Sequence, residues 1–355
     1  MSELVTLSKG NPGFEDYLLG TFSKTKRALP LQTLNANSAS ETVTFKIVDV
    51  NELEKPYLLS RIAQTFKVRS FLLVLVPLLL VLTKNIADQT LEDPWLTILA
   101  TFGVTLAFIA VNFRNDFMDH MHGVDRVMIR SGSRAIQRGW TTAAQVRTWA
   151  NVFVFLSLLC ALPVMIVVPQ VAVLTVLALM VGLWAQFKKR KSFKDHVGGE
   201  FALFLLLGPM LTTGYQLSMA ASFDVEIMWL GALWGWLVTF VVHLKNFKNI
   251  LPSSQAGFTN TVNWLGFDKS RRLLAGWWLA FVFFNLIFHL EYAGIYWGWY
   301  LTAILLFISF PFIHRLRRAS SPVGSELMVA FRSGFNLFVI AVGLWVFECL
   351  WYLFQ

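Results

Sequence analysis

Apolar residues gather along this chain into long unbroken runs, and polar residues fill the gaps. About nine runs are long enough to cross a bilayer, at roughly 68–84, 95–113, 149–168, 170–187, 200–220, 226–243, 273–291, 295–314 and 334–354. Only helices or closed barrels satisfy the backbone in lipid, and continuous apolar runs of this length specify helices. The pattern therefore predicts an all-α, polytopic membrane bundle of about nine helices over residues 61–355. The runs at 149–168 and 170–187 are nearly fused. Residues 1–60 are polar and lack the basic-then-apolar order of a signal peptide, so they read as a cytoplasmic N-terminal extension. Within it, Thr42 to Val50 alternates weakly, as a short strand does.

The polar gaps alternate in charge. Arg114 to Arg147 carries six arginines. Lys188, Lys189, Arg190, Lys191 and Lys194 follow the fourth run. Lys245, Lys248, Lys269, Arg271 and Arg272 lie between the sixth and seventh, and Arg315, Arg317, Arg318 and Arg332 between the eighth and ninth. The intervening gaps hold acids or almost nothing: Asp88, Glu92 and Asp93, then Pro169-Gln170, then Asp224 and Glu226, then Glu291. The positive-inside rule places the N-terminus in the cytoplasm and the C-terminus outside. Composition agrees: the 355 residues are 56% hydrophobic and only 14% charged, against about 25% charged in a soluble domain. The net charge of +9 is thereby explained by topology, and no nucleic-acid partner is called for. Cys160 and Cys349 both fall inside apolar runs and form neither a disulfide framework nor a metal site.

One acidic cluster stands out against this basic background. Asn115, Asp116 and Asp119 lie just past the inner end of the second run, with Asp125 beyond Gly123. If the run continues as helix, Asn112, Asn115, Asp116 and Asp119 follow an i, i+3, i+4, i+7 pattern and share one face. His122 then lies one turn on. Gly123 would end that helix and let Asp125 fold back toward the face. Acids at a membrane boundary need a cation, and a Mg²⁺ (magnesium)–diphosphate complex is one candidate, since Mg²⁺ takes carboxylate oxygens together with substrate phosphates. The alternative is a solvated loop whose aspartates pair with nearby arginines. His120, His122, His196 and His243 read as spectators or interfacial residues, and no Cys/His spacing suggests zinc. No phosphate-cradling P-loop or nucleophile elbow occurs.

A second segment echoes the first. Val242-His-Leu-Lys-Asn246 repeats Val111-Asn-Phe-Arg-Asn115 in residue type and order, four runs later on the same side of the membrane. These residues carry a family resemblance. The chain resembles the UbiA superfamily of intramembrane aromatic prenyltransferases, and within it the 1,4-dihydroxy-2-naphthoate polyprenyltransferases of menaquinone synthesis. The Asn-Asp-x-x-Asp-x-x-x-Gly-x-Asp motif of that branch is matched by Asn115-Asp116-x-x-Asp119-x-x-x-Gly123-x-Asp125. Arg134, Gly139 and Thr142 follow at the family's spacing, and Gly199-Glu200, Gly208-Pro209 and Gly214 look like its fifth-span segment. The resemblance covers about residues 60–350. It departs at the second motif, where Asn-Asn-x-Arg-Asp-x-x-x-Asp then Ala-Gly-Lys is replaced by Lys245-Asn246-x-Lys248-Asn249-x-x-x-Ser253 then Ala256-Gly257-Phe258. Both acids of that motif are missing.

The resemblance implies transfer of an isoprenoid from a polyprenyl diphosphate to an aromatic acceptor in quinone biosynthesis. It implies Mg²⁺ held by Asn115, Asp116, Asp119 and Asp125, with the three aspartates catalytic. Asn115, Lys67, Arg130, Arg134, Lys245, Lys248 and Asn249 would meet the diphosphate, the two lysines of the second segment replacing a lost cation. Glu200 would bind or deprotonate the acceptor, or else is an acid favoured at a helix start. Trp184, Tyr215, Trp234 and Trp236 are among the aromatics available to shield an allylic cation. The location implied is the bacterial inner membrane, with the site's mouth on the cytoplasmic side. The other reading is a lapsed transferase serving as carrier or scaffold subunit.

Overall fold

The computed structural model describes residues 3–36, 38–127, 132–187, 196–220, 222–255, 257, 259–292 and 295–352. Three strands come first among the helices: β1 (Glu3–Ser8), β2 (Lys26–Leu34) and β3 (Thr42–Asp49). The helices in chain order are α1 (Phe14–Leu19), α2 (Leu58–Thr65), α3 (Leu72–Ala87), α4 (Pro94–Met121), α5 (Val124–Val127), α6 (Ala143–Val167), α7 (Pro169–Phe187), α8 (Gly199–Leu207), α9 (Pro209–Ala220), α10 (Val225–Lys248), α11 (Ile250–Gln255), α12 (Thr261–Leu265), α13 (Phe267–Tyr292), α14 (Ile295–Arg318) and α15 (Ser325–Tyr352).

The all-α membrane bundle expected from the apolar runs is what forms. Eight of the described helical segments are long and apolar enough to cross a bilayer by length and composition. The run predicted as the fourth span is α7, whose qualifying apolar stretch, Pro169–Val181, is shorter. Pro169 separates it from α6, because proline suits a helix's first turn but cannot continue the preceding ladder. Large apolar side chains stay exposed along these helices, such as Phe307 at 83% and Phe310 at 74%. They suit a lipid environment and would be costly in water.

By contact density the chain falls into two units, Met1–Leu72 with Phe102–Cys160, and Leu73–Thr101 with Ala161–Gln355. In the first unit the polar extension is a folded module. Its strands are antiparallel in the order β1-β3-β2. The alternation predicted at Thr42–Val50 is the central strand: Val43, Phe45 and Ile47 face inward and pack on Phe14 and Leu18 of α1. Met121, at the end of α4, joins this small core. Beyond it, Ile109, Phe113 and Phe117 of α4 pack with Ile136, Val146 and Ala150.

The second unit is built around α10, which packs on α8, α9, α13 and α15. Trp234, Leu237, Phe240 and Leu244 of α10 meet Trp278 and Phe281 of α13, Phe312 of α14 and Trp345 of α15. The fifth predicted span is a broken helix, α8 and α9 interrupted at Gly208-Pro209. A Cβ at Gly208 would lie 2.6 Å from the Gly231 carbonyl oxygen, and one at Gly235 only 2.5 Å from that of Phe204. The broken span thus approaches α10 backbone to backbone, the arrangement small residues permit between membrane helices. Thr212 Oγ1 donates across this contact to the Ile227 carbonyl, 3.2 Å away.

Candidate active site

The acidic cluster sits at the C-terminal end of α4. Asp116 and Asp119 are buried, at 4% and 6% exposure, and Asn112 and Asn115 are half-buried on the same helix. Gly123 adopts φ +76°, which ends the helix run and turns the chain into α5. Asp125, in that short helix, is 2% exposed. A Cβ placed on Gly132 would lie 3.1 Å from Asp125 Oδ1 and 3.5 Å from Asp116 Oδ1. The two carboxylates therefore face one point, and the absence of a side chain at residue 132 keeps the space beside them open.

A cation already meets this point. Lys67 Nζ lies 2.5 Å from Asp116 Oδ1. Its backbone is left-handed at φ +53°, just before the turn that leads into α3. Arg134, also left-handed at φ +62°, donates through Nη1 to the Asp125 carbonyl oxygen at 2.5 Å. Burial lowers the Arg134 pKa from the ordinary arginine value, while the charge of Asp125 works the other way. Arg130 lies outside the described residues.

Asp125 is held from behind by residues that the motif does not contain. Gln137 Nε2 donates to Asp125 Oδ2 at 2.8 Å and reaches His120 Nδ1 at 3.2 Å. His120 Nε2 lies 2.9 Å from the carbonyl oxygen of Leu18 in α1. A carbonyl only accepts, so Nε2 carries the ring hydrogen and Nδ1 accepts from Gln137. Arg126, next to Asp125, donates to the His120 carbonyl at 2.7 Å and forms an ion pair with Glu41. Both side chains of that pair are almost wholly buried. Burial lowers the Arg126 pKa, and Glu41 and then Asp125 counter it. His120, expected to be a spectator, is thus a buried connector. Glu41 and Gln137 had no sequence signal beyond an acid and an amide in polar stretches.

The second segment is placed differently. Lys245, Asn246 and Lys248 occupy the last turn of α10, and Asn249 caps it through its backbone N–H. This matches the position of the first cluster at the end of α4. Lys248 Nζ stacks 4.3 Å over the Phe331 ring. Ser253, where the family pattern has an acid, is 2% exposed and donates to the Ile250 carbonyl at 3.0 Å, with Asn263 Oδ1 at 3.1 Å. Ala256 and Phe258 lie outside the described residues.

Glu200, in the first turn of α8, is 5% exposed with both oxygens engaged. His243 Nδ1 lies 3.1 Å from Oε1, and Thr261 Oγ1 donates to Oε2 at 2.5 Å. His243 is fully buried in this pair and is not the interfacial residue its place near a span end suggested. Trp234 and Trp236 donate to backbone carbonyls of Leu73 and Trp277, and the Tyr215 hydroxyl bonds Thr101 at 2.6 Å. These aromatics have packed, satisfied positions; the Trp184 side chain lies outside the described residues.

The sequence model of the UbiA prenyltransferase family matches residues 71–350. The chain belongs to the UbiA prenyltransferase family. That match spans both clusters and every helix from α3 to α14. Solved UbiA-type structures share the fold at low identity. A digeranylgeranylglyceryl phosphate synthase aligns with a TM-score of 0.57 at 16% identity, over 82% of this chain and 98% of that one. A UbiA homologue from Archaeoglobus fulgidus aligns with a TM-score of 0.57 at 13% identity, over 83% of this chain and 100% of that one. The same homologue bound to GPP and Mg²⁺ gives 0.55 at 10% identity, covering 81% and 99%. No curated protein sequence matches the chain.

The first cluster also answers whether a UbiA-type metal fits. Among the described residues, no three His, Cys, Asp or Glu side chains group closely enough to hold a metal ion by themselves. Mg²⁺ does not need three: it is commonly bound by one or two carboxylates plus substrate phosphates and waters. Two buried carboxylates facing the open space at Gly132, with an ammonium drawn onto one of them, have the charge and oxygen donors for that ion.

Proposed function

We propose that the protein is an intramembrane prenyltransferase that moves an isoprenoid chain from an allylic diphosphate to an aromatic acceptor, with Mg²⁺ at the first cluster. The observation that carries this reading is the convergence of Asp116 and Asp125 on the space at Gly132 within a UbiA-family chain. GPP and Mg²⁺, and DMAPP and Mg²⁺, in the structures of the Archaeoglobus homologue support the substrate class. The match of residues 115–125 to the 1,4-dihydroxy-2-naphthoate branch supports a quinone-type acceptor and a bacterial inner-membrane location. The arginine- and lysine-rich loops support a cytoplasmic mouth, with residues 1–60 on that side.

In this reading Asp116 and Asp125 would hold the cation, with Asn115 and Asp119, on the same helix as Asp116, completing its surroundings. When bound, Mg²⁺ supplies the positive charge that turns diphosphate into a competent leaving group. Lys67 exchanges its contact with Asp116 for a phosphate oxygen as substrate arrives. Arg134 holds the Asp125 backbone with one nitrogen and keeps further donors for the diphosphate. The sequence pattern supports Lys245 and Lys248 as sources of positive charge for the diphosphate, where the family's second pair of acids is absent. Glu200, with both oxygens engaged, acts by fixing α8 to α10 and α12.

A second reading, a lapsed transferase acting as carrier or scaffold, is favoured by Ser253, which is buried in internal hydrogen bonds where an acid would stand. Purified protein assayed with radiolabelled polyprenyl diphosphates and a panel of aromatic acceptors separates the two. Mg²⁺-dependent product that is lost in Asp116→Asn and in Gly132→Ala supports the transferase. Diphosphate binding with no product from any acceptor supports the second reading.

A further inference from the structure

The N-terminal module is tied into the first cluster through buried contacts that a simple appended domain does not need. Two links converge on Asp125. Glu41 pairs with Arg126, the next residue along. Leu18 fixes the ring of His120, whose other nitrogen orients Gln137, and Gln137 in turn holds Asp125 Oδ2. Gly123 leaves room for the first link, since a Cβ there would lie 2.8 Å from Arg126 Nη2 and 3.1 Å from Glu41 Oε1. With Oδ2 held from behind, Oδ1 is the oxygen presented toward Asp116. We infer that the β-sheet module is part of the site, and that Glu41, Arg126, His120 and Gln137 are positioning residues that set the orientation of Asp125. This rests on the proposed metal role of Asp116 and Asp125. Groups that orient a ligating carboxylate typically change metal affinity about 10–100-fold when removed.

The test is Mn²⁺ binding to the full-length protein in detergent, read by electron paramagnetic resonance without prenyl substrate. Glu41→Gln is expected to weaken Mn²⁺ binding about tenfold or more, and Arg126→Lys to retain part of the affinity. Because Glu41→Gln leaves a buried guanidinium unpaired, Glu41→Gln with Arg126→Gln provides a neutral pair that keeps the fold. A lowered Tm with wild-type Mn²⁺ affinity in that double variant would overturn the inference and leave the module a stabiliser only. If Asp125→Asn itself leaves Mn²⁺ binding intact, the site reading fails instead.

A separate observation concerns ionisable groups that this site does not use. Lys84 of α3 lies 2.7 Å from Asp88 Oδ2 and 2.8 Å from Glu226 Oε2. His289 of α13 lies 2.9 Å from Glu348 Oε2 of α15. Both groups line one cavity of about 210 Å³, walled by Phe288, Tyr292 and Trp345. Glu226 begins α10 and Asn249 caps its other end, so cavity and second segment lie on the order of 30 Å apart along that helix.

Hydrogen-bond roles set the charge of this lining. His289 Nδ1 faces the Asn285 carbonyl oxygen at 2.7 Å, and a carbonyl only accepts, so Nδ1 carries a hydrogen. The 2.9 Å contact from Nε2 to Glu348 then needs a second hydrogen between the two atoms. Imidazolium with carboxylate, or imidazole with carboxylic acid, both leave that pair neutral overall. Lys84 with Asp88 and Glu226 leaves one negative charge in excess, beside three aromatic walls. We propose that the cavity binds the ammonium group of an amine or a lipid headgroup, which aromatic faces favour over hydrated metal ions.

Thermal unfolding of the detergent-purified full chain, titrated with choline or with ethanolamine, tests this. A saturable Tm rise of about 2 °C or more that KCl at equal ionic strength does not give supports the site. That rise should shrink in Glu226→Gln and persist in Glu348→Gln, because the His289–Glu348 pair carries no net charge. Nanodiscs of phosphatidylglycerol alone, compared with discs containing phosphatidylethanolamine, distinguish a free amine from a headgroup: pre-occupancy by the headgroup removes the choline response. No saturable response in either preparation, or an equal one with KCl, overturns the proposal.

Discussion

The side-chain amide of Gln137 stands 2.8 Å from Asp125 Oδ2, and its second hydrogen points to His120. One amide therefore fixes both a carboxylate and a ring. Gln137→Leu removes the donor that both groups share. Transfer is expected to fall about 10–100-fold, with the loss appearing as a raised Mg²⁺ requirement. Gln137→Glu should be worse, because it sets a carboxylate against Asp125. A Mg²⁺ titration of the transfer rate checks both variants. Wild-type Mg²⁺ dependence in Gln137→Leu would remove Gln137 from the site.

Much of this arrangement was legible in the sequence, and the rest was not for identifiable reasons. The apolar runs gave the helices because lipid-length hydrophobic segments have one backbone solution. The spacing of Asn112, Asn115, Asp116 and Asp119 gave a shared helix face because the helical period is fixed. The sheet was only half visible. β3 alternates cleanly, but β2 contains Pro30, which cannot donate to a ladder and sits at an irregularity between Pro30 and Gln32. The partners of Asp125 were hidden because Glu41 and Leu18 are distant in the chain, and periodicity carries no information on such contacts. His243 was misplaced for the same reason: its partner Glu200 lies 43 residues away.

Lys67, half-buried, pairs with the buried Asp116 at 2.5 Å. Removing the ammonium by Lys67→Met leaves a buried carboxylate without its nearby cation, which typically destabilises by about 3–5 kcal/mol. The variant should unfold at lower temperature without divalent ions, and Mg²⁺ should restore much of the loss by taking the ammonium's place. Thermal scans with and without MgCl₂ report this. If Mg²⁺ stabilises wild type and Lys67→Met equally, the ion does not bind where Lys67 sits.

Ser253 bears on whether a second acidic motif can be rebuilt. Its hydroxyl donates to Ile250, next to the Asn263 side-chain oxygen, within a buried pocket. Ser253→Asp puts a charge there with acceptor oxygens on both sides. The expected result is destabilisation of about 2 kcal/mol or more, without a second metal. Asn249→Asp, at the C-terminal cap of α10, should cost less, about 0.3–1 kcal/mol from the helix dipole. Chemical denaturation together with metal counting distinguishes the outcomes. Two bound metals in a stable Ser253→Asp variant would mean that an acidic second motif is still structurally available.

The close approach of the broken span to α10 gives the last test. A Cβ at Gly231 would lie 2.0 Å from Thr212 Oγ1 and 3.0 Å from the Pro209 Cα, and at Gly235 the obstacle is backbone. A side chain can rotate away, whereas backbone must move as a unit. Gly235→Ala is therefore expected to cost more than Gly343→Ala, whose Cβ meets nothing within 4 Å. Overpacking of this kind costs about 1–3 kcal/mol, while Gly343→Ala in the middle of α15 should be neutral or stabilising by up to about 1 kcal/mol. Because Glu200 links α8 to His243 on α10, the shift should also loosen that pair, so Glu200→Gln should cost less in the Gly235→Ala background than alone. A double-mutant cycle measured by unfolding gives the coupling, and strict additivity would show that the helix contact and the Glu200–His243 pair are independent.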